Sequence, residues 1–260
     1  MEKYSKSWVY RINITLDKLK KRDTTAKERS GGKMVGNVIE NNVVTISGKV
    51  VSEVEYSHEV YGEGFYSFFL EVPRLSDSSD RISVTFSERL VPKSKLQMGV
   101  TLEIEGQFRS YNSYKSDSNK LVLTVFAREI IFIEEDKRVK NPNQIYLNGY
   151  ICKNPIYRMT PFGREITDIL IAVNRPYNKS DYIPCIAWGR NARYSQNLSI
   201  GDNIKIWGRI QSRDYQKKLE NGEIITKTAY EVSVSKMEVS EASHNREDKA
   251  NSVDSGNVKE

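Results

Sequence analysis

The sequence predicts an all-β protein of two tandem five-stranded barrels, and three observations carry that prediction. The chain repeats itself: Gly48 recurs as Gly149, a step of 101 residues, while Phe86 to Trp188, Gly99 to Gly201 and Gly106 to Gly208 are steps of 102. A register held over that distance is a duplicated domain, because its period is far longer than the roughly 20–50 residues of solenoid repeats. Within each repeat, apolar runs rich in β-branched and aromatic residues (166–173, 182–188, 203–211 and 228–237 in the second) are separated by turn residues, which reads as strands. Helical signal is confined to 192–199 and its counterpart 88–97, each placed after the third strand. Five strands with one short helix between the third and fourth is the OB-fold pattern; an antiparallel sandwich shares the strand count.

Along the chain, residues 1–38 form a basic flexible arm with 10 basic and 4 acidic side chains, a Gly31-Gly32 pair and only a weakly periodic stretch at 9–19. Few apolar residues give it nothing to bury. Residues 39–135 are the first repeat, a divergent OB fold with 10 basic and 15 acidic side chains, net −5. A polar linker follows at 136–143, and the second repeat at 144–239 has 14 basic and 9 acidic side chains, net +5. Residues 240–260 are polar, lack aromatics and read as a disordered tail. The net charge of +6 thus hides an asymmetry: the second repeat and the arm are basic, the first repeat acidic.

Several classes drop out. Two cysteines, Cys152 and Cys185, and two histidines, His58 and His244, do not make a tetrahedral zinc shell at the usual spacings, so neither metal nor other cofactor is expected. Reduced, buried thiols are favoured over a disulfide. No apolar run reaches the length of a signal h-region or a membrane span, which predicts a soluble, cytoplasmic protein without membrane contact. OB folds occur in some enzymes, but no phosphate loop, nucleophile–base pair or paired carboxylates accompany these, so catalysis is not expected.

The chemistry gathers on the fourth strand of the second repeat. Side chains alternate across a strand, which puts Ile204, Ile206, Gly208, Ile210 and Ser212 on a core face. Lys205, Trp207, Arg209, Gln211, Arg213 and Tyr215 share the other. Cations interleaved with flat rings suit a single-stranded polynucleotide, the cations meeting phosphates and the rings stacking on bases at roughly 1–3 kcal/mol each. On the third strand Tyr182 and Trp188 share a face with Pro184 and Ile186. The stretch 154–164, with Tyr157, Arg158, Arg164 and a Thr-Pro-Phe-Gly turn, predicts a basic hairpin rim. The stretch 214–226, with Lys217 and Lys218, joins the last two strands and would extend the track. The first repeat keeps the core face but offers Glu103, Glu105, Gln107, Arg109 and Tyr111 on the other. Phe86 stands for Trp188, and Ser76 and Asp80 for Tyr177 and Tyr182. Only Arg74, Arg109, Tyr111 and Tyr114 remain as contacts, so this repeat is expected to touch the strand weakly and to serve mainly as an assembly or partner surface.

Leu147-Asn148-Gly149, 155–163, 171–177 (with Asn174, Arg175 and Tyr177), Ile183-Pro184-Cys185-Ile186-Ala187-Trp188-Gly189 and 208–215 together resemble the bacterial single-stranded DNA-binding protein family. The resemblance covers most of the second repeat. It implies a non-catalytic, sequence-independent binder of single-stranded DNA in replication, recombination and repair. The family's stacking aromatics fall on Tyr177, Tyr182, Trp188 and Tyr215, with Arg175 beside them. Four OB folds per assembly implies a homodimer of this two-fold chain, and replication and repair proteins as partners. The family's acidic tail with an aromatic tip has no match in 254–260. From the residues alone, a primosome- or partner-docking scaffold with weak or RNA-directed binding is the alternative; stacking and phosphate contacts do not need a 2′-hydroxyl.

Overall fold

The computed structural model describes residues 41–113, 120–134, 139–218 and 222–240. The expected arm at 1–38 and, apart from Ser240, the expected tail lie outside these residues. The first half folds as β1 (Asn42–Val50), β2 (Glu55–Val60), β3 (Glu63–Pro73), β4 (Ser79–Ser87), a one-turn 3₁₀ helix (Lys93–Lys95), β5 (Thr101–Ser113) and β6 (Lys120–Phe132). The second half repeats it as β7 (Asn143–Ile151), β8 (Ile156–Met159), β9 (Glu165–Arg175), β10 (Lys179–Trp188), α1 (Arg190–Ser195), β11 (Asn203–Lys218) and β12 (Ile224–Val239). In each half the first strand pairs with two neighbours, β1 with β5 and β3, β7 with β11 and β9. A parallel pairing, Val84↔Val125 or Cys185↔Val232, completes the ring. The result is a closed OB barrel, not a two-sheet sandwich, with β2 and β8 added as hairpin arms on β3 and β9.

Alternate residues fill each barrel, including Ile82, Val84 and Phe86 from β4 and Ile183, Cys185 and Ala187 from β10. The parallel register aligns Val84 with Cys185, so the repeat step through this strand is 101. Phe86 therefore corresponds to Ala187, both in the core, and Ser87 to Trp188. Likewise Asp80 corresponds to Asp181, and Arg81 to Tyr182. These matches correct the equivalences expected from a step of 102; the extra residue enters before Gly201. The helices are also shorter than the expected 192–199 and 88–97. Neither has a side-chain N-cap bond or an acidic first turn, and so short a helix cannot offset its nucleation cost.

The recurring glycines mark close approaches of neighbouring backbone. A Cβ at Gly48 or Gly149 would lie 2.0 Å from Glu71 O or 2.6 Å from Ala172 O. Gly106 and Gly208 stand at register shifts in β5 and β11, where a Cβ would lie 2.3 and 2.2 Å from the Phe126 and Ser233 oxygens.

The barrels are joined by strand pairing. β1 and β7 run antiparallel with Val44↔Ile145 at the centre, so β6-β5-β1-β7-β11-β12 is one continuous sheet. Asn42 and Asn143 start the two strands, each side chain standing in for a peptide group where the ladder ends. Asn42 Nδ2 donates to Phe108 O at 2.8 Å and Asn42 Oδ1 accepts from Phe108 N–H at 2.9 Å; Asn143 does the same with Ile210 at 2.7 and 2.9 Å. Each barrel also lends a buried carboxylate to the other. Asp80 accepts the Ser212 N–H at 2.7 Å, and Asp181 accepts the Ser110 N–H at 2.8 Å.

Candidate nucleic-acid interface

The outer face of the second barrel carries most of the expected site, but only part of it is open. Tyr177 sits at φ +64 in the turn between β9 and β10 and is 94% exposed. A left-handed tyrosine is strained, and here the turn holds the ring out into solvent. Tyr182, 47% exposed, and half-buried Trp188 follow on the outer side of β10, and Tyr215, 38% exposed, stands on β11. The register Ile186↔Ser233 and Ser233↔Arg209 brings the outer sides of β10, β12 and β11 into one surface. Arg213 lies on the same face, half-buried, and its Nε has no acceptor among the described residues; neither has the Trp188 indole N–H.

Trp207 and Arg209 do not belong to the open surface. Trp207 is 6% exposed and packs on Tyr146 of β7 with ring centroids 5.1 Å apart, under the Lys236 ammonium at 4.6 Å. It lies in the half of β11 that pairs with β7, inside the sheet that joins the barrels. Arg209 is 4% exposed; its Nη1 donates to Asp80 of the first barrel at 3.0 Å and its Nη2 to Gln211 at 3.1 Å. Gln211 in turn donates to Glu231. The alternation of side chains on this strand is as expected, but the first barrel covers its middle. Lys205, beside Trp207, is half-buried on the same covered side.

The cations divide the same way. Arg164 is exposed on the β8–β9 turn, where the Thr160 hydroxyl accepts its backbone N–H at 3.0 Å. Arg158 is a two-pronged partner of Asp168, at 2.6 and 3.1 Å, and that bond raises its pKa above the ordinary arginine value. It neutralises the Asp168 carboxylate on this face. Arg175 bridges Asp181 at 3.4 Å. Burial pushes the Asp181 carboxyl above its ordinary value; the Ser110 N–H and the Arg175 and Arg109 charges pull the other way. Lys217 and Lys218 end β11, which with β12 extends the expected loop 214–226 as a paired ribbon; their side chains lie outside the described residues. Sequence reasoning passed over Ile156, Met159 and Phe162, all exposed on the β8–β9 arm; only the Thr-Pro-Phe-Gly turn signalled them.

In the first barrel Arg74 is committed to Asp80, with Nε at 2.9 Å and Nη2 at 2.5 Å, and is not available as a contact. Tyr111 is exposed, and Tyr114 lies outside the described residues. Cys185 is buried and Cys152 half-buried, both as free thiols. Burial raises both of their pKa values. Among the described residues no helix is long and apolar enough to cross a membrane.

Residues 142–240 match the family model described as the single-strand binding protein family. The match spans the second barrel. It is 37% identical over 83 residues to a single-stranded DNA-binding protein of Clostridium tetani, covering 29% of this chain and 57% of the relative. A single-stranded DNA-binding protein of Staphylococcus aureus is 35% identical over 83 residues, 29% of this chain and 50% of its own length. The chain thus spans about half the length of these curated relatives. Among solved structures, the single-stranded DNA binding protein from Thermus aquaticus superposes with a TM-score of 0.61 at 19% identity, covering 76% of this chain and 92% of that one. That coverage exceeds a single barrel, so the shared architecture extends to the paired OB folds.

Proposed function

We propose that this protein binds single-stranded DNA without sequence preference and acts by binding, not by catalysis, during replication, recombination and repair. The observation that carries the reading is the outer face of the second barrel, where Tyr177, Tyr182, Trp188 and Tyr215 all reach solvent beside Arg213. Bases unstacked from a single strand lie against these rings, and Arg164, Arg175, Arg213 and the Lys217-Lys218 pair draw the phosphates in. The names of the relatives and the basic charge of the second barrel support the same reading. The working assembly is a homodimer with four barrels, located in the bacterial cytoplasm. Replication and repair proteins are its expected partners.

Tryptophan emission on addition of oligo(dT) tests the proposal. Half-exposed Trp188 is quenched as bases stack on it, and the apparent affinity falls linearly on a log–log plot against salt. Competition with an RNA oligonucleotide of matched sequence reports the preference between the two backbones. A folded protein whose emission does not change at low salt would remove the reading.

A further inference from the structure

We infer that the two hairpin arms make a head-to-tail contact between consecutive copies of this chain, the acidic arm of the first barrel (β2–β3) seating on the basic arm of the second barrel (β8–β9) of the next molecule. The arms stand at the two far ends of the protein. β4 leaves the seam between the barrels at Asp80, which accepts the Ser212 N–H at 2.7 Å, and ends at Ser87, opposite Phe65 at the base of the first arm. β10 leaves the seam at Asp181, which accepts the Ser110 N–H at 2.8 Å, and ends at Trp188, opposite Ile166 at the base of the second arm. Seven steps of strand, about 23 Å, thus separate the seam from each arm. Since β1 and β7 pair antiparallel across the seam, the two arms point away from each other.

Both arms expose apolar side chains. Tyr56, Val60 and Tyr61 are open on the first, Ile156, Met159 and Phe162 on the second. The first arm ends in a two-residue turn, with Tyr61 and Gly62 at φ +50 and +77, the left-handed pair that a tight hairpin requires. That turn holds the Tyr61 ring in solvent, and Tyr56 meets Tyr66 only edge-on, with centroids 5.7 Å apart. Side chains of this kind stabilise a contact when a partner covers them. β2 and β8 also stand at the two ends of the strand order, each paired on one side only, so their outer backbone groups are open to a further strand.

Charge selects the occupant. Glu53, Glu55 and Glu59 are exposed on and beside β2. The basic groups near them are engaged: Arg89 bridges Glu63 at 3.4 Å, Lys93 lies 5.5 Å from the Tyr66 ring, and His58 stacks on Phe65. On the second arm the balance is reversed. Lys153, Arg164 and Arg190 are exposed, while Asp168 is held by Arg158 at 2.6 Å and Glu165 by Arg193 at 3.4 Å. Two first arms would set carboxylates against carboxylates, and two second arms cations against cations, so a two-fold contact through either arm is opposed and acidic on basic is favoured. A contact between unlike surfaces at opposite ends does not close on itself; it passes from one molecule to the next. Copies held along one single strand meet at high local concentration, so the contact shows itself as tighter binding to a long strand. That consequence rests on the single-strand reading of the second barrel; the contact itself does not.

The test swaps the charges in the full chain. E55K/E59K makes both arms basic, and K153E/R190E makes both acidic; all four positions are exposed. Affinity for a labelled dT oligomer of ~30 nucleotides, with room for one molecule, is compared with affinity per site on poly(dT), with room for many. The wild type is expected to bind poly(dT) about tenfold more tightly per site, a ratio that falls as salt rises. Each folded variant alone should lose that ratio. An equimolar mixture of the two, in which basic arms again face acidic ones, should restore it. A wild-type ratio near one, variants that keep the wild-type ratio, or a mixture that fails to restore it overturns the inference. Should the wild type bind neither DNA, the reading of the second barrel falls instead, and sedimentation of the same samples at low salt decides the contact. A faster species in the wild type and the mixture, missing from each variant, upholds it; its absence from the wild type overturns it.

Discussion

Replacing Asp80 by Ala removes the group on which the two barrels converge. Its carboxylate, almost fully buried, accepts from Arg74 Nε and Nη2 at 2.9 and 2.5 Å, from Arg209 Nη1 at 3.0 Å and from the Ser212 N–H at 2.7 Å. Alanine takes the Asp80 carboxylate away from two guanidinium groups whose side chains are 7% and 5% exposed. Breaking a buried pair from one side costs about 3–5 kcal/mol. Arg74 keeps the Ser212 carbonyl at 3.2 Å and Arg209 keeps Gln211, so a value of roughly 4 kcal/mol is expected. With a urea slope of about 2–3 kcal/mol per molar for a protein of this size, the unfolding midpoint should fall by roughly 1.5 M. The related Asp181 supplies an internal control. Its partner Arg175 is farther away, at 3.4 Å, and its side chain is 26% exposed, so it rehydrates when the carboxylate is lost. Asp181→Ala should therefore cost no more than about half as much. Urea titration followed by far-ultraviolet circular dichroism measures both. A midpoint shift for Asp80→Ala no larger than that for Asp181→Ala would refute the argument that Asp80 clamps one barrel to the other.

Two further outcomes follow from the same interface and its neighbour. Trp207→Phe should lower stability through lost packing on Tyr146 while leaving the affinity for oligo(dT) within about twofold; a large loss of affinity in a folded variant would return Trp207 to the binding surface. Asp181 predicts a pH signature. Its folded-state pKa lies above the ordinary 3.8, so the native state holds this proton more tightly than the unfolded chain. Its contribution favours folding below 3.8 and is lost as pH rises through the folded value. Relative to Asp181→Asn, the wild type should thus lose stability as pH rises from 3.8 into that window, as read by urea midpoints at a series of pH values; a flat or rising difference contradicts it.

Much of the architecture was legible because it is local. The glycine landmarks, the alternation on the strands and the connection after the third strand each follow from short-range pattern. What stayed hidden depends on residues distant in the chain. Nothing near Arg209 announces Asp80, 129 residues away, so correct strand parity still led to the wrong exposure for Arg209 and Trp207. The equivalence of Phe86 with Trp188 failed for a smaller reason: one residue inserted after β10 shifts the alignment, and only the parallel pairing with β6 and β12 fixes it. The extent of β11 was missed because 213–218 is polar throughout; cross-strand hydrogen bonding to β12, not burial, carries the ribbon to Lys218.

Rings that reach solvent on the second barrel are free to stack on bases. Tyr182 and Tyr215 are both open to solvent, so Tyr182→Ala/Tyr215→Ala should leave folding intact while removing two stacking contacts. At roughly 1–3 kcal/mol per base, the anisotropy of an end-labelled dT oligomer should report affinity lower by about 30-fold or more. An unchanged affinity, with the variant folded and the salt dependence of binding retained, would contradict the account.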